Sequence, residues 1–551
     1  MIKKGFGRFT LPILIIIVFS GFFAGKDDTY FQINKNIDLF SRIYKEISFN
    51  YVDNINPEEF MRAGIRGMLG SLDPYTNFID ENKKDEIDLI TNGKYGGVGI
   101  SIGVRGKDVT VVEVMDGYSA QRQGIRIGDI LLEAGGIKLT PENIDDISSL
   151  VKGDPGSTVA LKVLRGDNKD TLNFNLIREE VIVRNIPFYG FFPENSNNVY
   201  MKLTSFSRSA ADEMKKDLKE LKAKKEIKSV VLDLRGNPGG LLDIAVDICN
   251  DFIAKDALIV STKGRDGSGE KQYMATQEPV LKDAKLVLLI NEGSASASEI
   301  LAGAIQDHDR GVILGTKSYG KGLVQTITPL NFNTSLKITT AKYYTPSGRC
   351  IQKINYSNKN NVFAQTDTLT ENSFNTDNKR IVYSAGGITP DSTVNFEIQG
   401  NITKDLLAHG LFFKFADHYF YNNPKIDFQK LKGESLFSDF ESFLTTQKFD
   451  FKSEAEKEID NLLKDAETKK LEEGLISDIK KLKGQLEKID NSEARIYKTE
   501  IIRELKNELA SRYLGNDGRF KESLSHDIQF QTSLSILDND KLYKKLLNIS
   551  N

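Results

Sequence analysis

Three apolar runs, each followed at once by a segment with helical periodicity, constrain the fold of this chain more than any other feature. The runs are VYMKLTSF from Val199, SVVLDLRG from Ser229 and LVLLINEG from Leu286. The helices predicted after them cover about Ala210 to Ala223, Leu241 to Phe252 and Ser296 to Asp307. Strands this apolar are buried on both faces, as in parallel sheets flanked by helices. Residues 181–400 are therefore predicted to form a layered α/β domain.

The rest of the chain divides into regions of different composition. At 551 residues the chain exceeds what one hydrophobic core supports. Helical periodicity predicts an N-terminal helical region over residues 26–84, and short β-like runs with glycine-bearing turns predict a β module over residues 85–180. Lys/Glu-rich amphipathic sequence over residues 401–551 predicts a helical C-terminal region, expected to be a solvated bundle or bracing arm. The predicted fold class is multidomain α+β.

Residues 1–25 have the layout of an export signal. Three cations precede an apolar run from Phe9 to Ala24, which is the order of a positive flank and a membrane-inserting segment. The run is shorter than the ~20 residues that span hydrocarbon comfortably. Phe22 stands where a small residue is expected if cleavage followed Ala24. We expect an uncleaved signal anchor, with a cleaved signal peptide as the alternative.

Composition argues against several classes of function. Lys+Arg 74 against Asp+Glu 77 gives a formal net charge of -3, so no electrostatic feature favours a nucleic-acid partner. The four histidines lack a metal-ligand spacing. Cys249 and Cys350 are too few for a zinc site or a disulfide framework; free thiols are expected, with one bridge as the alternative. We expect neither a metal nor a cofactor.

Two segments of the β module resemble a PDZ domain. Residues 95–100 (YGGVGI) form a glycine loop that leads into an apolar strand, and residues 119–131 (SAQRQGIRIGDIL) read as a short helix, a turn and a strand. The resemblance implies that a peptide C-terminus binds by strand addition, with its carboxylate on loop amides and its last side chain in an apolar pocket. The implied binding residues are Gly97, Val98, Gly99 and Ile100. The alternative is that these glycines only serve tight turns.

The strongest candidate for a nucleophile lies where the LVLLI strand is followed by a helix, in the segment GSASASE from Gly293. A serine at such a turn is exposed at the sheet edge, and the N–H groups of the helix N-terminus can stabilise an oxyanion. Serine and glutamate three residues apart also form a capping box, which is the structural alternative. On pattern alone, Ser294, Ser296 and Ser298 compete.

Two further segments follow apolar strands. Lys321 lies between two glycines in SYGKG, and a lysine can act as a base only where burial or a dipole lowers its pKa from ~10.4. A glycine follows the lysine, so this is not a Walker-type phosphate loop. The other segment, DLRGNPGG, ends in a diglycine. An amide of Gly239 or Gly240 would form an oxyanion hole with the amide of Ala297, and the sequence does not choose between the glycines.

Together these segments resemble the C-terminal processing, or tail-specific, peptidase family of serine proteases, which combine a PDZ domain with a Ser/Lys dyad. GSASASEILAGA, LDLRGNPGGLL, YGKGLVQ, YYTPSGRCIQ and GGITPD all match motifs of the family, within about residues 35–395. The resemblance implies a crotonase/ClpP-like peptidase core. It also implies that Ser296 is the nucleophile and that Lys321, 25 residues later, is the neutral-amine general base.

The resemblance further implies that Gln325 orients Lys321. Four residues span ~13 Å in a strand but ~6 Å on a helix-like turn. We therefore predict a non-extended backbone between Lys321 and Gln325.

Three alternatives compete with a dyad peptidase. A Ser-His-Asp triad would use His308, but this residue falls ~18 Å along the helix from Ser296, at a C-terminal position expected to be on the surface. A peptide-binding scaffold with a degenerate peptidase domain is opposed by the presence of every catalytic residue. A crotonase-like acyl-CoA enzyme conflicts with export and with the PDZ-like module.

The expected function is that of an exported serine endopeptidase of the C-terminal processing type. The expected partners are protein or peptide substrates with free apolar C-termini, and the membrane through the N-terminal segment. The C-terminal helices offer a surface for a second copy of the chain or for an adaptor. The expected location is the bacterial-type cell envelope, in the periplasm and anchored in the inner membrane.

Overall fold

The computed structural model describes residues 10–81, 91–143, 150–166, 170–265, 269–356 and 369–549, without the side chains of residues 10–28 and 491. The chain divides into two compact units. One comprises residues 1–79, 327–338 and 356–365, and the other comprises residues 80–326, 339–355 and 366–551.

The first unit contains helices α1 (Thr10–Asn50) and α2 (Pro57–Gly70) and strand β1 (Asn77–Ile79). Asn56 caps α2 by accepting hydrogen bonds from two backbone N–H groups of the first turn, and Pro57 occupies the first helical position. β1 pairs antiparallel with residues 335–337. Helices thus occur in the N-terminal region, residues 26–84, for which helical periodicity predicts them.

The expected export segment, residues 1–25, lies outside the residues whose side chains are described. Among the described part of the chain, no helix is both long enough and apolar enough to cross a membrane.

The β module is a sheet built from short strands around one short helix. Its elements are β2 (Lys94–Gly97), β3 (Ile100–Arg105), β4 (Asp108–Val114), α3 (Ser119–Gln123), β5 (Ile130–Ala134), β6 (Ile137–Lys138), β7 (Thr158–Arg165), β8 (Asp170–Ile177) and β9 (Glu179–Ile182). The sheet order is β3-β4-β5-β7-β8, with β6 beside β5, and β2 pairs separately with β9. β3 is therefore an edge strand, the position that strand addition requires. The helix predicted at Ser119 is confirmed.

The layered α/β domain follows. The three predicted strand–helix pairs are present among further strands, and residues 327–338 of this stretch belong to the first unit. Its elements are β10 (Phe188–Phe191), β11 (Asn198–Lys202), α4 (Ala210–Lys224), β12 (Ser229–Asp233), α5 (Leu242–Cys249), β13 (Leu258–Lys263), β14 (Lys271–Met274), β15 (Lys285–Ile290), α6 (Ala297–Asp307), β16 (Val312–Gly315), β17 (Leu323–Pro329), β18 (Ser335–Tyr344), β19 (Ser373–Asn375), β20 (Ile381–Tyr383) and β21 (Ser392–Thr393). The main sheet has the order β10-β11-β12-β15-β16-β21 and is parallel from β11 onward.

Successive residues of the central strands point to opposite faces of this sheet. Leu286, Leu288 and Ile290 pack with α4, α5 and α6 in one core. Val287 and Leu289 belong to a second core, on the other face. The prediction that these strands are buried on both faces is confirmed.

The C-terminal region is helical, as predicted. Its elements are α7 (Asn401–Ala408), α8 (Leu411–Asn422), α9 (Gly433–Thr446), α10 (Glu454–Thr468), α11 (Glu473–Ile496), α12 (Lys498–Tyr513), α13 (Gly515–His526), α14 (Ile528–Asp538) and α15 (Asp540–Leu546). Helices α7, α8, α9 and α12 share their own aromatic-rich core. The last three helices pack against the main sheet instead, where side chains such as Phe530, Leu534 and Leu537 form the second core with it. A solvated bundle therefore describes only the first part of this region.

Candidate active site

Three loops meet at one edge of the main sheet because they follow three neighbouring parallel strands. β12 ends at Asp233, β15 at Ile290 and β16 at Gly315, and β15 lies between the other two. The carboxyl ends of parallel strands share one edge of a sheet, where ligand sites of α/β folds occur. The diglycine segment, the serine segment and the Lys321 segment are thereby brought together, as their positions after strands predict.

Ser296 precedes the first residue of α6 and has an unusual backbone conformation. Its φ of 55° and ψ of −112° lie outside the regions that non-glycine residues normally occupy. Such a conformation costs on the order of 1–3 kcal/mol and persists only where neighbouring contacts impose it. Ser296 is also partly exposed, whereas Ala295 and Ala297 on either side are buried.

Ser294 and Ser298, the competing serines, are held in structural hydrogen bonds. Both side chains are fully buried. The Ser294 hydroxyl donates to the Leu234 carbonyl at 2.8 Å, and the Ser298 hydroxyl donates to the Asn237 carbonyl at 2.9 Å. Their hydroxyls fasten the serine segment to the diglycine segment, which leaves Ser296 as the accessible serine of the three.

The Glu299 carboxylate joins the serine segment to the lysine segment. One oxygen, Oε2, accepts from the backbone N–H groups of Ser296 and Lys321, at 2.9 Å each. The other, Oε1, accepts from the Gly320 N–H at 2.8 Å and from the Ser318 hydroxyl at 2.5 Å. Since both nitrogen atoms bind one oxygen, the backbones of Ser296 and Lys321 lie within about 6 Å of each other, twice a hydrogen-bond length.

Glu299 has no solvent exposure. Burial raises the pKa of its carboxyl from 4.5 to about 7, although the hydrogen bonds from Ser318, Lys321, Gly320 and Ser296 all favour the charged form. Three of its four donors are backbone N–H groups, which cannot accept a proton in return. The ionised carboxylate is therefore the form that satisfies this site.

The diglycine lies directly against the serine. A Cβ on Gly239 would fall 2.7 Å from the Ala295 carbonyl oxygen and 3.0 Å from Ser296 Cβ, and its φ is +100°, so only glycine fits. Its N–H donates to Asn237 Oδ1 at 2.8 Å. The Gly240 N–H donates to no acceptor among the described residues, and Ala297, the first residue of α6, has an N–H outside the helical ladder. These contacts favour Gly240 over Gly239 as the donor partner of Ala297.

Gln325 lies in β17, and here the predicted geometry is wrong. The strand begins at Leu323, so only Lys321 and Gly322 precede it, and no helix-like turn connects Lys321 to Gln325. The reason is that the Gly322 carbonyl already accepts the Tyr343 N–H, which extends the ladder to β18. The Gln325 amide donates to the Leu323 carbonyl and to the Thr339 hydroxyl, at 3.3 Å each.

Tyr343 and Glu299 were not predicted as site residues. The buried Tyr343 hydroxyl donates to the Ser296 carbonyl at 3.2 Å, and burial, with Glu299 and Cys350 nearby, raises its pKa well above 10. Tyr343 therefore remains a neutral donor. The sequence signal for it was the YYTPSGRCIQ motif, and for Glu299 it was the capping-box spacing.

His308 is the C-cap of α6, at the opposite end of the helix from Ser296. Its ring bonds to the Asp377 carboxylate at 2.8 Å and to the Leu258 carbonyl at 2.7 Å. The C-terminal position is confirmed, but the side chain is only 18% exposed because of these contacts. Asp307 is paired with Arg349 instead. No part of a Ser-His-Asp triad is assembled from these residues.

The four residues predicted to bind a peptide C-terminus lie in one loop and at the start of the edge strand. Gly97 ends β2, and Ile100 begins β3. The Val98 and Gly99 carbonyls accept the N–H groups of Ala120 and Met115, which fastens the loop to the module. Val98 and Ile100 are buried in the core of the module, so backbone groups are what this loop offers to a ligand.

An α/β core with a serine at a helix N-terminus, in one chain with a module whose sheet ends in an edge strand, is the arrangement expected of a PDZ-containing peptidase. Comparison with known families agrees. Residues 197–358 match peptidase family S41, residues 110–165 match the PDZ domain, and residues 402–537 match the C-terminal helical domain of a probable PDZ-protease.

Comparison with curated relatives shows the family to which the chain belongs. A carboxy-terminal-processing protease of Bartonella bacilliformis is 33% identical over 351 residues, covering 63% of this chain and 79% of that protein. The carboxy-terminal processing protease CtpB of Bacillus subtilis is 30% identical, covering 58% and 66%. A solved photosystem II D1 C-terminal processing protease is 25% identical with a TM-score of 0.35, covering 65% and 92%. The chain belongs to the carboxy-terminal-processing proteases of peptidase family S41, a serine-type family.

Proposed function

We propose that this chain is an exported endopeptidase that cleaves proteins recognised through their C-termini, with Ser296 as nucleophile and Lys321 as general base. The observation that carries the proposal is the shared Glu299 carboxylate, which fixes the backbones of Ser296 and Lys321 beside each other. Membership of a peptidase family supports peptide-bond hydrolysis as the reaction.

In the proposed reaction Ser296 Oγ attacks the carbonyl carbon of the scissile bond while its proton passes to the neutral amine of Lys321. The N–H groups of Ala297 and Gly240 donate to the oxyanion that forms. The C–N bond then breaks, and the Lys321 ammonium returns the proton to the leaving amine. Water, deprotonated by Lys321, attacks the acyl-enzyme ester. The ester bond to Ser296 breaks, and the proton goes back to Ser296 Oγ.

Gln325 is proposed to support Lys321 from a strand. In extended backbone, residues at alternate positions lie on one face, so the side chain of Gln325 faces the same side as that of Leu323 and, if the extension continues, as that of Lys321. Because four residues of extended backbone span ~13 Å, the proposed support is indirect: Gln325 would hold the strand that follows Lys321, with its amide anchored by the Thr339 hydroxyl.

The β module is proposed to bind the C-terminus of the substrate. Its edge strand β3 and the loop from Gly97 to Ile100 are suited to adding a peptide strand and to receiving its terminal carboxylate on backbone N–H groups. A free, apolar C-terminus is therefore the proposed substrate feature. Amidating that terminus should raise KM and leave kcat at saturation unchanged, since the module takes no part in bond cleavage.

Export is proposed from the N-terminal sequence, with its cationic flank and apolar run from Phe9 to Ala24. The full chain should fractionate with the inner membrane and be digested by protease added to spheroplasts. A variant lacking residues 1–25 should stay in the cytoplasm. A full chain that is soluble and protected from added protease would contradict this part of the proposal.

The catalytic proposal is tested with the full chain and a long fluorogenic peptide that ends in a free apolar residue. Ser296→Ala and Lys321→Ala should each lower kcat by at least about 10³-fold while the protein keeps its fold. Lys317→Ala is the matched control, because this exposed lysine of the same loop pairs with Glu371 at 3.4 Å; it should stay within about twofold.

The rival function is a peptide-binding scaffold with an inactive peptidase domain. It predicts that the unsubstituted chain binds the peptide and does not cleave it. Near-native cleavage by Lys321→Ala would contradict the dyad while leaving proteolysis in place.

A further inference from the structure

The C-terminal helices α13, α14 and α15 (residues 515–546) provide the layer of side chains that buries the second face of the catalytic sheet. Phe530 is fully buried, and Leu534, Ile536 and Leu537 pack with the strand residues Val287 and Leu289. A parallel sheet requires cover on both faces. These helices are therefore a part of the peptidase domain in space, although they follow it by more than a hundred residues in the chain.

At the catalytic edge of the sheet the contact between helix and sheet is ionic. Arg235 forms a two-pronged pair with Asp233, the last residue of β12, through Nε at 3.0 Å and Nη2 at 2.7 Å. The same Nη2 lies 2.7 Å from Asp527 Oδ2, and Nη1 donates to Gln529 Oε1 at 2.9 Å. Asp233 and Gln529 have at most 1% exposure, and the Arg235 side chain has 11%.

Arg235 is also the second residue of the loop that follows β12 and lies beside the proposed nucleophile. The next residue, Gly236, donates its N–H to the Asn291 side chain, and Asn237 accepts from the Ala295 N–H and the Ser298 hydroxyl. Gly239 then contacts Ser296. A displacement of Arg235 would be passed along four consecutive residues to the proposed oxyanion donor.

We propose that Asp527 and Gln529 are positioning residues for proteolysis: they hold Arg235, and through it the diglycine loop, so that catalysis depends on the docking of the C-terminal helices. The inference rests on the proposed function of Ser296 and of the diglycine amide. It gives the C-terminal helices a role in positioning a loop of the proposed active site rather than only at an interaction surface. Geometry at such sites is demanding, since a displacement of about 1 Å can cost about 10²-fold in rate.

The alternative is that these contacts only stabilise the fold, and a second, more exposed ion pair between the C-terminal helices and the sheet serves as a control for it. Asp540, in α15, pairs with Lys285, which is the first residue of β15. That ion pair also joins the C-terminal helices to the sheet, but at the end of the strand away from the catalytic loops. If the contacts only stabilise the fold, neither substitution should change the rate at temperatures well below Tm.

The test compares Asp527→Asn with Asp540→Asn in the full chain. Asparagine is as good an N-cap as aspartate, so the caps that Asp527 gives to the Gln529 and Phe530 N–H groups are kept while the charge facing Arg235 is removed. Steady-state kinetics use the free-carboxylate peptide, well below the Tm of each variant. Asp527→Asn should lower kcat about tenfold with KM within twofold, and Asp540→Asn should leave both constants within twofold.

Equal kcat values for the two variants, or a loss of kcat in Asp527→Asn that only follows its loss of Tm, would overturn the proposal. If Asp527→Asn does not fold, Gln529→Met is measured instead, because it removes the acceptor for Arg235 and leaves the Asp527 cap intact. Ser296→Ala in the same series separates the two claims. If it cleaves as well as the unsubstituted chain, the proposed function fails, whereas a difference between the Asp527 and Asp540 variants tests the positioning role.

Discussion

Replacing Glu299 by glutamine tests whether the carboxylate organises the active site. The substitution keeps the size of the side chain and exchanges one acceptor oxygen for an NH2 group. If the NH2 group takes the place of Oε2, it faces the N–H groups of Ser296 and Lys321. If it takes the place of Oε1, it faces the Gly320 N–H, and only the Ser318 hydroxyl can turn to accept from it. In each orientation at least one backbone donor loses its acceptor.

The expected loss in rate follows from the removal of the negative charge and from the lost hydrogen bond. A hydrogen bond to a charged group contributes about 1.5–3 kcal/mol, and a buried unsatisfied donor costs about 1–3 kcal/mol. A total of about 2.5–6 kcal/mol is equivalent to between about 70- and 10⁴-fold in rate if all of it falls on the transition state, and a smaller loss is expected if only a part of it does. Stability should change less, because the neutral amide avoids the burial cost that raises the pKa of Glu299 to about 7.

The assay is kcat for the fluorogenic peptide at pH 8, together with Tm. We expect Glu299→Gln to lower kcat at least tenfold with little change in Tm. Glu292→Gln is the control, because Glu292 also joins the loops after β15 and β16, by accepting from the Thr316 hydroxyl at 3.1 Å, but it is exposed. If Glu299→Gln and Glu292→Gln both stay within twofold of the unsubstituted protein, the carboxylate does not organise the site.

Three further outcomes are expected. Because the pKa of Glu299 is raised from 4.5 to about 7, the folded protein retains a proton that the unfolded chain has released, so the free energy of unfolding should fall as pH rises across this interval, by about 3 kcal/mol. The kcat should rise over the upper part of the interval as the carboxylate forms, and both dependences should be smaller in Glu299→Gln, measured by pH-resolved kinetics and denaturant unfolding. Gly239→Ala should lower kcat at least about 10²-fold, because its Cβ would lie 2.7 Å from a carbonyl oxygen. Gly236→Ala should lower kcat far less, because Gly236 is also at positive φ but has open space around it. Equal rates for the two variants would refute the close approach of Gly239 to the serine segment. Gln325→Leu should lower kcat about tenfold at constant KM. Thr339→Val, which removes one hydrogen bond of the Gln325 amide, should lower kcat less than threefold. A Gln325→Leu enzyme with normal kcat would show that Gln325 has no part in the mechanism.

The features that depend on contacts between neighbouring residues could be predicted from the sequence. The strand–helix alternation of the core, the short helix at Ser119 and the placement of Ser296 at a helix start all follow from periodicity and from neighbouring residues. The choice among Ser294, Ser296 and Ser298 came from the family spacing, and burial agrees with it.

Contacts between residues that are far apart in the chain could not be predicted from the sequence. The capping-box spacing predicts that Glu299 accepts the Ser296 N–H, and it does so. Its bonds to Ser318, Gly320 and Lys321 depend on the adjacency of β15 and β16, which spacing alone does not encode. The bend expected before Gln325 was wrong because pairing with β18, another non-local contact, extends the backbone there.

The same limit applies to the C-terminal helices. Their charged, amphipathic sequence indicated solvated helices, and Asp527 and Gln529 are ordinary residues of a helix start. Their contacts with Arg235 join residues almost three hundred positions apart. Only the folded chain brings them to the loop beside the proposed nucleophile.

The central claim, that Ser296 forms an acyl-enzyme, is tested most directly by locating the acyl group. A peptide ester that acylates the enzyme faster than the acyl-enzyme hydrolyses is mixed with the full chain, and the reaction is quenched in acid and mapped by mass spectrometry. The account predicts one acyl group per chain, on Ser296, and none in Ser296→Ala or Lys321→Ala. Acylation of Ser294 or Ser298, or an acyl group that forms at the same rate without Lys321, would contradict it.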